Sequence, residues 1–412
     1  MSDQPDVVVV GAGIAGGGLA AVLARAGMDV LILERTQEHT DRVRGEYMQL
    51  WGVEETHKVG LYDDLRESAE ANVIRRLIRY GDLTTPEEAE QQAIGLDALV
   101  PGVEGALAVS HPAACDALDD AAVSAGARLV RNVNAVAIKP GHPPTVTYVV
   151  DGEERSVRPR VVVGADGRES SVRKQLGFEL HATTPRVMGA GLRVAGTEAW
   201  AADECVIGTD GEWNFLVFPQ SGGFARLYLM YDIAHKQKLT GPDKTRLFLE
   251  AFQLDSFPKG EVFATATPAG PCAAFPMNDT WVDEPVMPGV VLVGDAAGWS
   301  DPLIGQGLSV AMRDARLVSE ALAQGDDWSP SAFAPYVEER AERMRRLRYS
   351  AYVVARLSCD GAPGAVERRG KFETRVNSDP DLFMVRVAAL IGPEKVPAAG
   401  FTDEAMALLF QN

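Results

Sequence analysis

The chain has 412 residues, of which 46% are hydrophobic and 24% are charged, as expected for a folded globular protein. It carries 40 Lys and Arg residues against 58 Asp and Glu residues, and the resulting net charge of −18 disfavours nucleic acids and anionic membrane surfaces as partners. No stretch approaches the roughly 20 apolar residues of a membrane span, and the acidic N-terminus lacks the basic start of a signal peptide, so we expect a cytoplasmic protein without a membrane partner.

The first predicted element is a βαβ unit at the N-terminus. An apolar strand, Val7–Val10, leads into the glycine-rich turn Gly11–Gly16, and a helix then runs to about Arg25. A second strand follows over Asp29–Leu33. A strand, a GxGxxG turn and a helix in this order are typical of dinucleotide-binding folds.

The glycines of this turn and the acid after the second strand have separate physical roles. Gly11 allows the tight turn, Gly13 lets the backbone approach a pyrophosphate, and Gly16 lets the helix pack closely on the strand. The helix N-terminus supplies unpaired N–H groups and the positive end of a dipole for phosphates. Glu34 can accept hydrogen bonds from ribose hydroxyls, so the unit predicts a bound nucleotide.

The middle of the chain predicts an antiparallel sheet. From about Val187 to Ala274 the sequence has short alternating stretches with aromatic residues, including the run EVFATATPAG that starts at Glu261. A shorter alternating piece, Asn72–Tyr80, is expected to join the same sheet.

Two further apolar strands also lead into glycine-rich turns. Val161–Val163 precedes Gly164–Gly167, which contains an Asp-Gly pair. Val290–Val293 precedes a Gly-Asp pair at Gly294 and Asp295. An Asp-Pro pair and a Gly-Gln-Gly run follow, and the pattern then predicts a helix from about Leu308 to Ala323.

The C-terminal part is predicted to be helical from Ser331 onward, with apolar residues at helical spacing. It contains a cluster of four arginines, Arg343, Arg345, Arg346 and Arg348. We interpret the cluster as a solvated helix face paired with nearby glutamates rather than as an anion site.

Taken together, the GxGxxG, DG and GD motifs resemble those of the single-component (class A) flavoprotein monooxygenases, of which p-hydroxybenzoate hydroxylase is the type. The three motifs occur in the family's order from Val7 to about Ala323, roughly three-quarters of the chain. The resemblance implies an α/β fold: a Rossmann-like FAD-binding domain, an antiparallel-sheet substrate domain and a helical C-terminal tail. The implied boundaries are 1–72, 105–178 and 286–327 for the FAD-binding domain, 73–104 and 179–285 for the substrate domain, and 328–412 for the C-terminal segment.

The resemblance also implies specific contacts to FAD around the flavin. Asp295 would accept a hydrogen bond from a ribityl hydroxyl, and Gly305 and Gly307 would bring helix N–H groups against the pyrimidine ring. Pro302 would lie beside the isoalloxazine. No residue is assigned as a catalytic acid, base or nucleophile, because the flavin carries the chemistry. Asp166 is expected to serve the pyrophosphate and the nicotinamide cofactor.

Other implied contacts lie at the adenosine end and near the flavin. Arg44 would contact the pyrophosphate, Arg35 the adenine edge, and Val133 the adenine through its backbone. His111 stands where relatives have Arg or Gln near the isoalloxazine, and a simple helix-start turn capped by Ser110 is an equally open interpretation. The complete set of predicted cofactor residues is Gly11, Gly13, Ala15, Gly16, Glu34, Arg35, Arg44, His111, Val133, Asp166, Asp295, Pro302, Gly305 and Gly307.

The implied activity is an FAD-dependent monooxygenase of secondary metabolism that uses NADPH or NADH and O2. A flavin C4a-hydroperoxide would hydroxylate or epoxidise a small aromatic or polyketide-like substrate. The candidate pocket residues, chosen from the predicted sheet, are Trp213, Phe215, Phe218, Tyr228, Met230 and Phe275. The protein would be a monomer or a homodimer.

Three alternatives share the motifs. They are an FAD-dependent reductase of the geranylgeranyl reductase type, a flavin-dependent halogenase with a catalytic lysine in the pocket, and a non-enzymatic FAD-binding module. No metal site is expected, because none of the six histidines is spaced like a metal pair and the four cysteines lie far apart. We expect these cysteines to be reduced thiols.

Overall fold

In the computed structural model, the described residues are 4–43, 45–359 and 362–410. Their strands, in chain order, are β1 (Val7–Val10), β2 (Val30–Leu33), β3 (Tyr47–Met48), β4 (Asn72–Ile74), β5 (Arg76–Gly81), β6 (Ile94–Gly95), β7 (Ala106–Ala108), β8 (Arg128–Val130), β9 (Ala135–Lys139), β10 (Thr145–Val150), β11 (Glu153–Val157), β12 (Val161–Gly164), β13 (His181–Ala182), β14 (Val187–Ala195), β15 (Glu204–Asp210), β16 (Trp213–Gln220), β17 (Phe224–Asp232), β18 (Thr267–Pro268), β19 (Ala273–Met277), β20 (Thr280–Trp281), β21 (Val286–Met287) and β22 (Val290–Leu292).

The α-helices of the same residues are α1 (Ile14–Arg25), α2 (Leu50–Lys58), α3 (Pro86–Gln91), α4 (His111–Ser124), α5 (Ser171–Gln175), α6 (Lys244–Glu250), α7 (Gly260–Ala264), α8 (Gly307–Ala323), α9 (Ala334–Ser358), α10 (Ala365–Ser378), α11 (Pro380–Ile391) and α12 (Asp403–Leu409). None of these helices is long and apolar enough to cross a membrane.

A six-stranded sheet carries all three glycine-rich turns. Its strand order is β21-β22-β12-β1-β2-β8, with β21 as an antiparallel edge strand and the other five strands parallel. β1, β12 and β22 are buried along their whole length, as expected for parallel strands covered on both faces. Because β1, β12 and β22 are neighbours, their carboxyl ends bring the three turns together at one edge of the sheet.

Backbone contacts lock these turns against one another. The Ala165 N–H donates to the Val10 carbonyl at 2.8 Å, and the Val293 N–H donates to the Gly164 carbonyl at 3.0 Å. A Cβ added at Gly11, where φ is +102°, would lie 2.6 Å from the Ala165 oxygen, so the close approach of the first two turns requires glycine.

An eight-stranded sheet forms the second layer. Its main order is β18-β14-β17-β16-β15-β5-β6, with β19 also paired to β14. Each neighbouring pair among β14, β17, β16 and β15 is antiparallel, whereas β5 lies parallel to β15. Asn72–Tyr80 therefore joins the sheet only through β5, since β4 pairs with β7 in a separate small sheet.

The two faces of this sheet pack into different hydrophobic cores, because side chains alternate between the faces along each strand. Phe215 and Leu229 belong to a core closed by aromatic residues of α6 and α7, whereas Phe218 and Met230 face the core shared with the six-stranded sheet. The helix α7 corrects the strand expected at the start of EVFATATPAG: Glu261–Ala264 is helical, and the strand that follows, β18, has two residues.

The C-terminal helices correct the interpretation of the arginine cluster. Arg345 is exposed and pairs with Glu342, as expected for a solvated face. Arg343, however, is 2% exposed and pairs with the fully buried Asp314 of α8 at 2.6 Å. Arg343 is buried because α9 packs directly on α8, whose carboxylate provides the opposite charge.

Candidate functional site

A cavity of about 350 Å³ lies between the carboxyl edge of the six-stranded sheet and one face of the eight-stranded sheet. Its lining residues come from all three glycine-rich turns, from the segment after β2 and from three strands of the larger sheet. They include Gly13, Ile14, Ala15, Arg42, Val43, Gly45, Glu46, Tyr47, His111, Ala165, Gly167, Arg168, Leu216, Phe218, Tyr228, Met230, Phe275, Met277, Gly294, Asp295, Ser300, Pro302, Gly305, Gln306, Gly307, Leu308 and Ala311. One cavity thus joins motifs that are far apart in the sequence.

The first turn forms an open cradle at the start of α1. A Cβ added at Gly13 would meet nothing within 4 Å, so the space beside this backbone is available to a ligand. Gly13 is the N-cap of α1, with no side-chain cap and no acidic residue in the first turn. The free N–H groups and the helix dipole suit a pyrophosphate. Gly16 has the packing role, because its Cβ would lie 1.9 Å from the Gly11 oxygen.

Glu34 is fixed at the end of β2. Its carboxylate accepts hydrogen bonds from the Ala12 N–H at 2.8 Å and from the Thr36 N–H and hydroxyl at 2.9 and 2.7 Å. Burial raises the pKa of Glu34, but these hydrogen bonds more than offset burial and lower it. The anionic carboxylate therefore lies in a defined position beside the first turn, as ribose recognition requires.

Asp166 of the second turn is used within its own loop. Its carboxylate accepts hydrogen bonds from Ser170, Ser171 and Val172 at the start of α5. Its neighbour Arg168 lines the cavity instead and donates from Nε to Asp295 at 3.2 Å. The structure thus places a cation where the sequence analysis identified only the Asp-Gly pair.

The third turn, which carries Asp295, is held by buried arginines. Arg340 of α9 is 2% exposed and donates to the carbonyl oxygens of Gly294, Ala297 and Gly298 at 2.8 to 3.1 Å. Asp314 accepts from the Gly294 N–H at 2.8 Å and from Arg340 at 3.0 Å. Asp295 itself lines the cavity, so the network behind the turn determines where its carboxylate lies.

The loop that follows the third turn completes this wall. Pro302, Gly305 and Gly307 all line the cavity. Gly305 has left-handed backbone angles (φ 61°, ψ 47°), which explains glycine at this position. The Gln306 side chain fixes the loop, since it accepts from the Trp51 indole at 2.9 Å. A Cβ at Gly307 would meet nothing within 4 Å, so the N-terminus of α8 is open to the cavity.

The remaining predicted cofactor residues occupy different places. His111 begins α4 and lines the cavity, and Ser110 is the N-cap without a side-chain cap hydrogen bond. The buried Val133 donates its N–H to the Glu34 carbonyl at 3.0 Å, and Arg35 is exposed just after β2. Arg44 lies outside the described residues.

The sheet wall contains four of the six predicted pocket residues. Phe218, Tyr228, Met230 and Phe275 line the cavity. Trp213 and Phe215 do not, because their odd positions on β16 place them on the opposite face, toward α6 and α7. The cavity lining also contains three residues that were not predicted from the sequence: Leu216, Met277 and Glu46. The alternation signal was available for the first two, since each is two residues from a predicted pocket residue.

The cavity has the features that FAD requires. It offers an open glycine cradle at one helix N-terminus and a second open helix N-terminus at α8. Glu34 is not part of the cavity lining, but it provides a fixed anionic acceptor beside the first turn. These groups belong to neighbouring turns of one parallel sheet, the location at which nucleotides bind in such folds. The residues of this site therefore fit FAD.

Comparison with known proteins agrees with this geometry. The sequence model for an FAD binding domain matches residues 4–351. Digeranylgeranylglycerophospholipid reductase of Methanocella arvoryzae is 28% identical, and the match covers 84% of each chain. The 3-demethoxyubiquinol 3-hydroxylase of Escherichia coli is 26% identical, over 84% of this chain and 87% of that protein.

A solved structure extends the likeness in fold to almost the entire chain. The p-nitrophenol 4-monooxygenase PnpA of Pseudomonas putida DLL-E4 superposes with a TM-score of 0.77, covering 95% of this chain and 98% of that one, at 18% identity. The family match, the site and this fold agree on the cofactor. The chain belongs to the FAD-binding-domain family, and it is a flavoprotein of the FAD-dependent oxidoreductases.

Proposed function

We propose that the protein is an NAD(P)H-using FAD-dependent monooxygenase that hydroxylates or epoxidises a small aromatic or polyketide-like compound. The observation that carries this proposal is the single cavity that joins the glycine turns of the six-stranded sheet to the apolar face of β16, β17 and β19. An organic substrate held by the sheet wall would lie directly against the flavin site.

In this proposal the nucleotide wall holds FAD. The start of α1 at Gly13 binds the pyrophosphate, Glu34 binds the ribose, and Asp295 binds the ribityl chain. The N-terminus of α8 faces the flavin ring and stabilises negative charge on it. The other predicted cofactor residues are also proposed to contribute to FAD binding: Gly11, Ala15, Gly16, Arg35, Arg44, His111, Val133, Asp166, Pro302, Gly305 and Gly307.

The sheet wall would orient the substrate and exclude water. Bound FAD supplies hydride acceptance and the activation of O2. Phe218, Met230 and Phe275 present apolar side chains that favour an apolar substrate and keep bulk water out of the reacting region. The sequence contains no second dinucleotide-binding unit, so we propose that NAD(P)H binds transiently at the same cavity. We also propose the domain division given by the sequence analysis.

A reductase of isoprenoid chains is the second candidate. The reductase relative matches this chain at 28% identity over 84% of each protein, slightly more than the hydroxylase relative at 26%. A reductase would transfer reducing equivalents to a carbon–carbon double bond and would not consume O2 in proportion to substrate. The halogenase alternative is weaker, because no described residue that lines the cavity is a lysine.

The deciding experiment is anaerobic reduction of the purified FAD-loaded protein by NADPH and by NADH, followed by admission of oxygen. The visible spectrum is followed throughout, with and without a panel of aromatic compounds. We expect one compound to accelerate flavin reduction and then to gain one oxygen atom for each NAD(P)H consumed.

Two results would contradict the proposal. Reduction of an isoprenoid double bond without stoichiometric oxygen consumption would assign the protein to the reductases. Protein that retains FAD but is not reduced by either nicotinamide cofactor would exclude both enzymatic candidates that use NAD(P)H.

A further inference from the structure

One polar group interrupts the otherwise apolar sheet wall of the cavity. Leu216, Phe218, Met230, Phe275 and Met277 surround it, and all of them line the cavity. The polar group consists of Tyr228 on β17 and Glu46 just before β3, both of which also line the cavity. The Tyr228 hydroxyl donates a hydrogen bond to Oε2 of Glu46.

A buried cation supports this pair from behind. Arg226 lies two residues before Tyr228 on β17, and only 1% of its side chain is exposed. Its Nη2 atom lies 3.2 Å from Oε1 of Glu46 and 2.7 Å from Oδ2 of Asp41. The guanidinium is not part of the cavity wall, and it faces two carboxylates. The carboxylates of Glu46 and Asp41 therefore share one buried cation, whose Nε and Nη1 atoms have no hydrogen-bond partner among the described residues.

The proton of Tyr228 is already used within the pair. Burial and the Glu46 carboxylate raise the pKa of Tyr228 well above its ordinary value, so the residue stays a neutral phenol. Since its hydrogen points to Glu46, only the oxygen lone pairs of the phenol remain for a ligand. Tyr228, the member of the pair that lies on the sheet wall, thus offers a ligand a hydrogen-bond acceptor and no donor.

We propose that Tyr228 and Glu46 form the substrate-recognition site and select an uncharged apolar compound that bears a hydrogen-bond donor, such as a hydroxyl or an N–H group. The same pair disfavours carboxylates, because a second anion beside the Glu46 carboxylate would be repelled by it. This inference rests on the proposed function in one respect: the compound that enters the cavity is the organic substrate.

Three other cations at or near the cavity define the necessary control. Arg168 lines the cavity, but its Nε donates to Asp295 at 3.2 Å. Arg42 is exposed and lines the cavity, so it is able to attract a carboxylate at that part of the wall. Arg193 pairs across the sheet with Arg226, but its Nε donates to Gln220 at 2.8 Å and it is absent from the cavity lining. Arg42→Gln therefore separates general attraction of anions from recognition at Tyr228 and Glu46.

The test uses three probes that share one apolar ring system: 2-naphthol, 2-methoxynaphthalene and 2-naphthoate. Each is titrated into the FAD-loaded protein without nicotinamide cofactor, and binding is followed by the change in the visible flavin spectrum. We expect naphthol to bind about fivefold or more tighter than its methyl ether, the effect of one hydrogen bond. Naphthoate should bind weakest.

Two variants should change this order in different ways. Tyr228→Phe should reduce the preference for naphthol over the ether to less than about twofold, since the acceptor is lost. Glu46→Gln keeps the shape and removes the charge, so it should improve naphthoate relative to naphthol by about tenfold. A merely structural role would weaken all three probes together. Arg42→Gln should leave the naphthol-to-ether ratio unchanged.

The proposal is overturned if naphthoate binds most tightly to the unmodified protein, or if both variants leave the ratios unchanged while retaining FAD. These titrations involve no turnover. Loss of the selectivity with intact oxygen transfer would therefore reject this inference alone, whereas intact selectivity in a protein that proves to be a reductase would reject only the proposed function.

Discussion

The wall formed by the turns of the six-stranded sheet, here called the backbone wall, is rich in glycine, whereas the wall formed by the eight-stranded sheet, the side-chain wall, presents large side chains. In the first wall Gly13 and Gly307 leave open space, and the third turn is held from behind by Arg340. In the second wall Phe218 and Met230 project directly into the cavity. A backbone wall serves a constant cofactor, and a side-chain wall can be changed residue by residue to suit a different substrate.

The largest expected effect on ligand binding comes from filling the backbone wall. Gly13→Val places a side chain where a Cβ has no neighbour within 4 Å, so the apoprotein should fold normally. The same side chain would occupy the space proposed for the pyrophosphate. We expect FAD affinity to fall by more than about 100-fold, or about 2.7 kcal/mol. Flavin fluorescence during titration of apoprotein with FAD measures this.

Gly81→Val is the matched control, because a Cβ at Gly81 makes only an ordinary 3.5 Å contact at the end of β5, far along the chain from the first turn. This control should bind FAD normally. Full FAD occupancy in Gly13→Val would disprove the backbone character of this wall.

The second prediction concerns the support behind the same wall. Asp314→Asn removes the carboxylate that pairs with the buried Arg340 and Arg343, and leaves Arg343 with only Glu339, which is at 3.0 Å. We expect the free energy of unfolding to fall by about 3–5 kcal/mol, measured by denaturant titration. Arg345→Gln breaks an exposed pair with Glu342 and should cost less than about 1 kcal/mol. Equal losses in the two variants would contradict a special role for the buried network.

The difference between the walls also explains what the sequence predicts. The glycine turns are local patterns of strand, turn and helix, so Gly13, Glu34 and Asp295 are recognisable without a structure. The burial of Arg343 cannot be recognised from the sequence, because its partner Asp314 lies on another helix and a run of arginines is typical of a solvated face. Alternation along β16 puts Phe218 and Phe215 on opposite faces of the sheet. Because both faces are buried, the sequence does not tell which of the two faces the cavity. Glu46 could not be found from sequence, because its partners Arg226 and Tyr228 lie about 180 positions away on β17.

The third prediction separates the two faces of the side-chain wall. Phe215→Ala should lower the free energy of unfolding by about 3–5 kcal/mol, because Phe215 is fully buried among aromatic residues. Ligand binding should be almost unchanged. Phe218→Ala should instead weaken binding of 2-naphthol by up to about tenfold, through loss of an aromatic contact.

Denaturant titration and spectral titration of both variants provide the measurements. Met287, on the edge strand β21 and outside the cavity lining, offers a control: Met287→Ala should leave naphthol binding unchanged. A binding loss in Phe215→Ala as large as that in Phe218→Ala would remove the distinction between the faces.

The last prediction concerns the place where the two walls meet. Asp279 follows β19, and its Oδ1 accepts from the Asp301 N–H at 2.8 Å, which joins the sheet wall to the loop before Pro302. Burial, together with the neighbouring Asp279 carboxylate, raises the pKa of Asp301 to about 7 against the opposing effects of the Leu303 N–H and Arg168. Burial likewise raises the pKa of Asp279 to about 6, opposed by the Asp301 N–H and Arg348.

These raised values determine the sign of the pH dependence. An unfolded Asp ionises near pH 4, so between about pH 4 and pH 7 the folded protein binds more protons than the unfolded chain. Stability from this source is present below pH 4 and is lost as the pH rises toward 7. In Asp301→Asn the side-chain oxygen can still accept from the Leu303 N–H, as Oδ1 does now at 2.9 Å. Between pH 4.5 and pH 8, the free energy of unfolding of the variant should therefore fall by on the order of 1–4 kcal/mol less than that of the unmodified protein. Denaturant titrations of both apoproteins across this range measure the difference, and parallel curves would mean that the junction between the walls does not titrate.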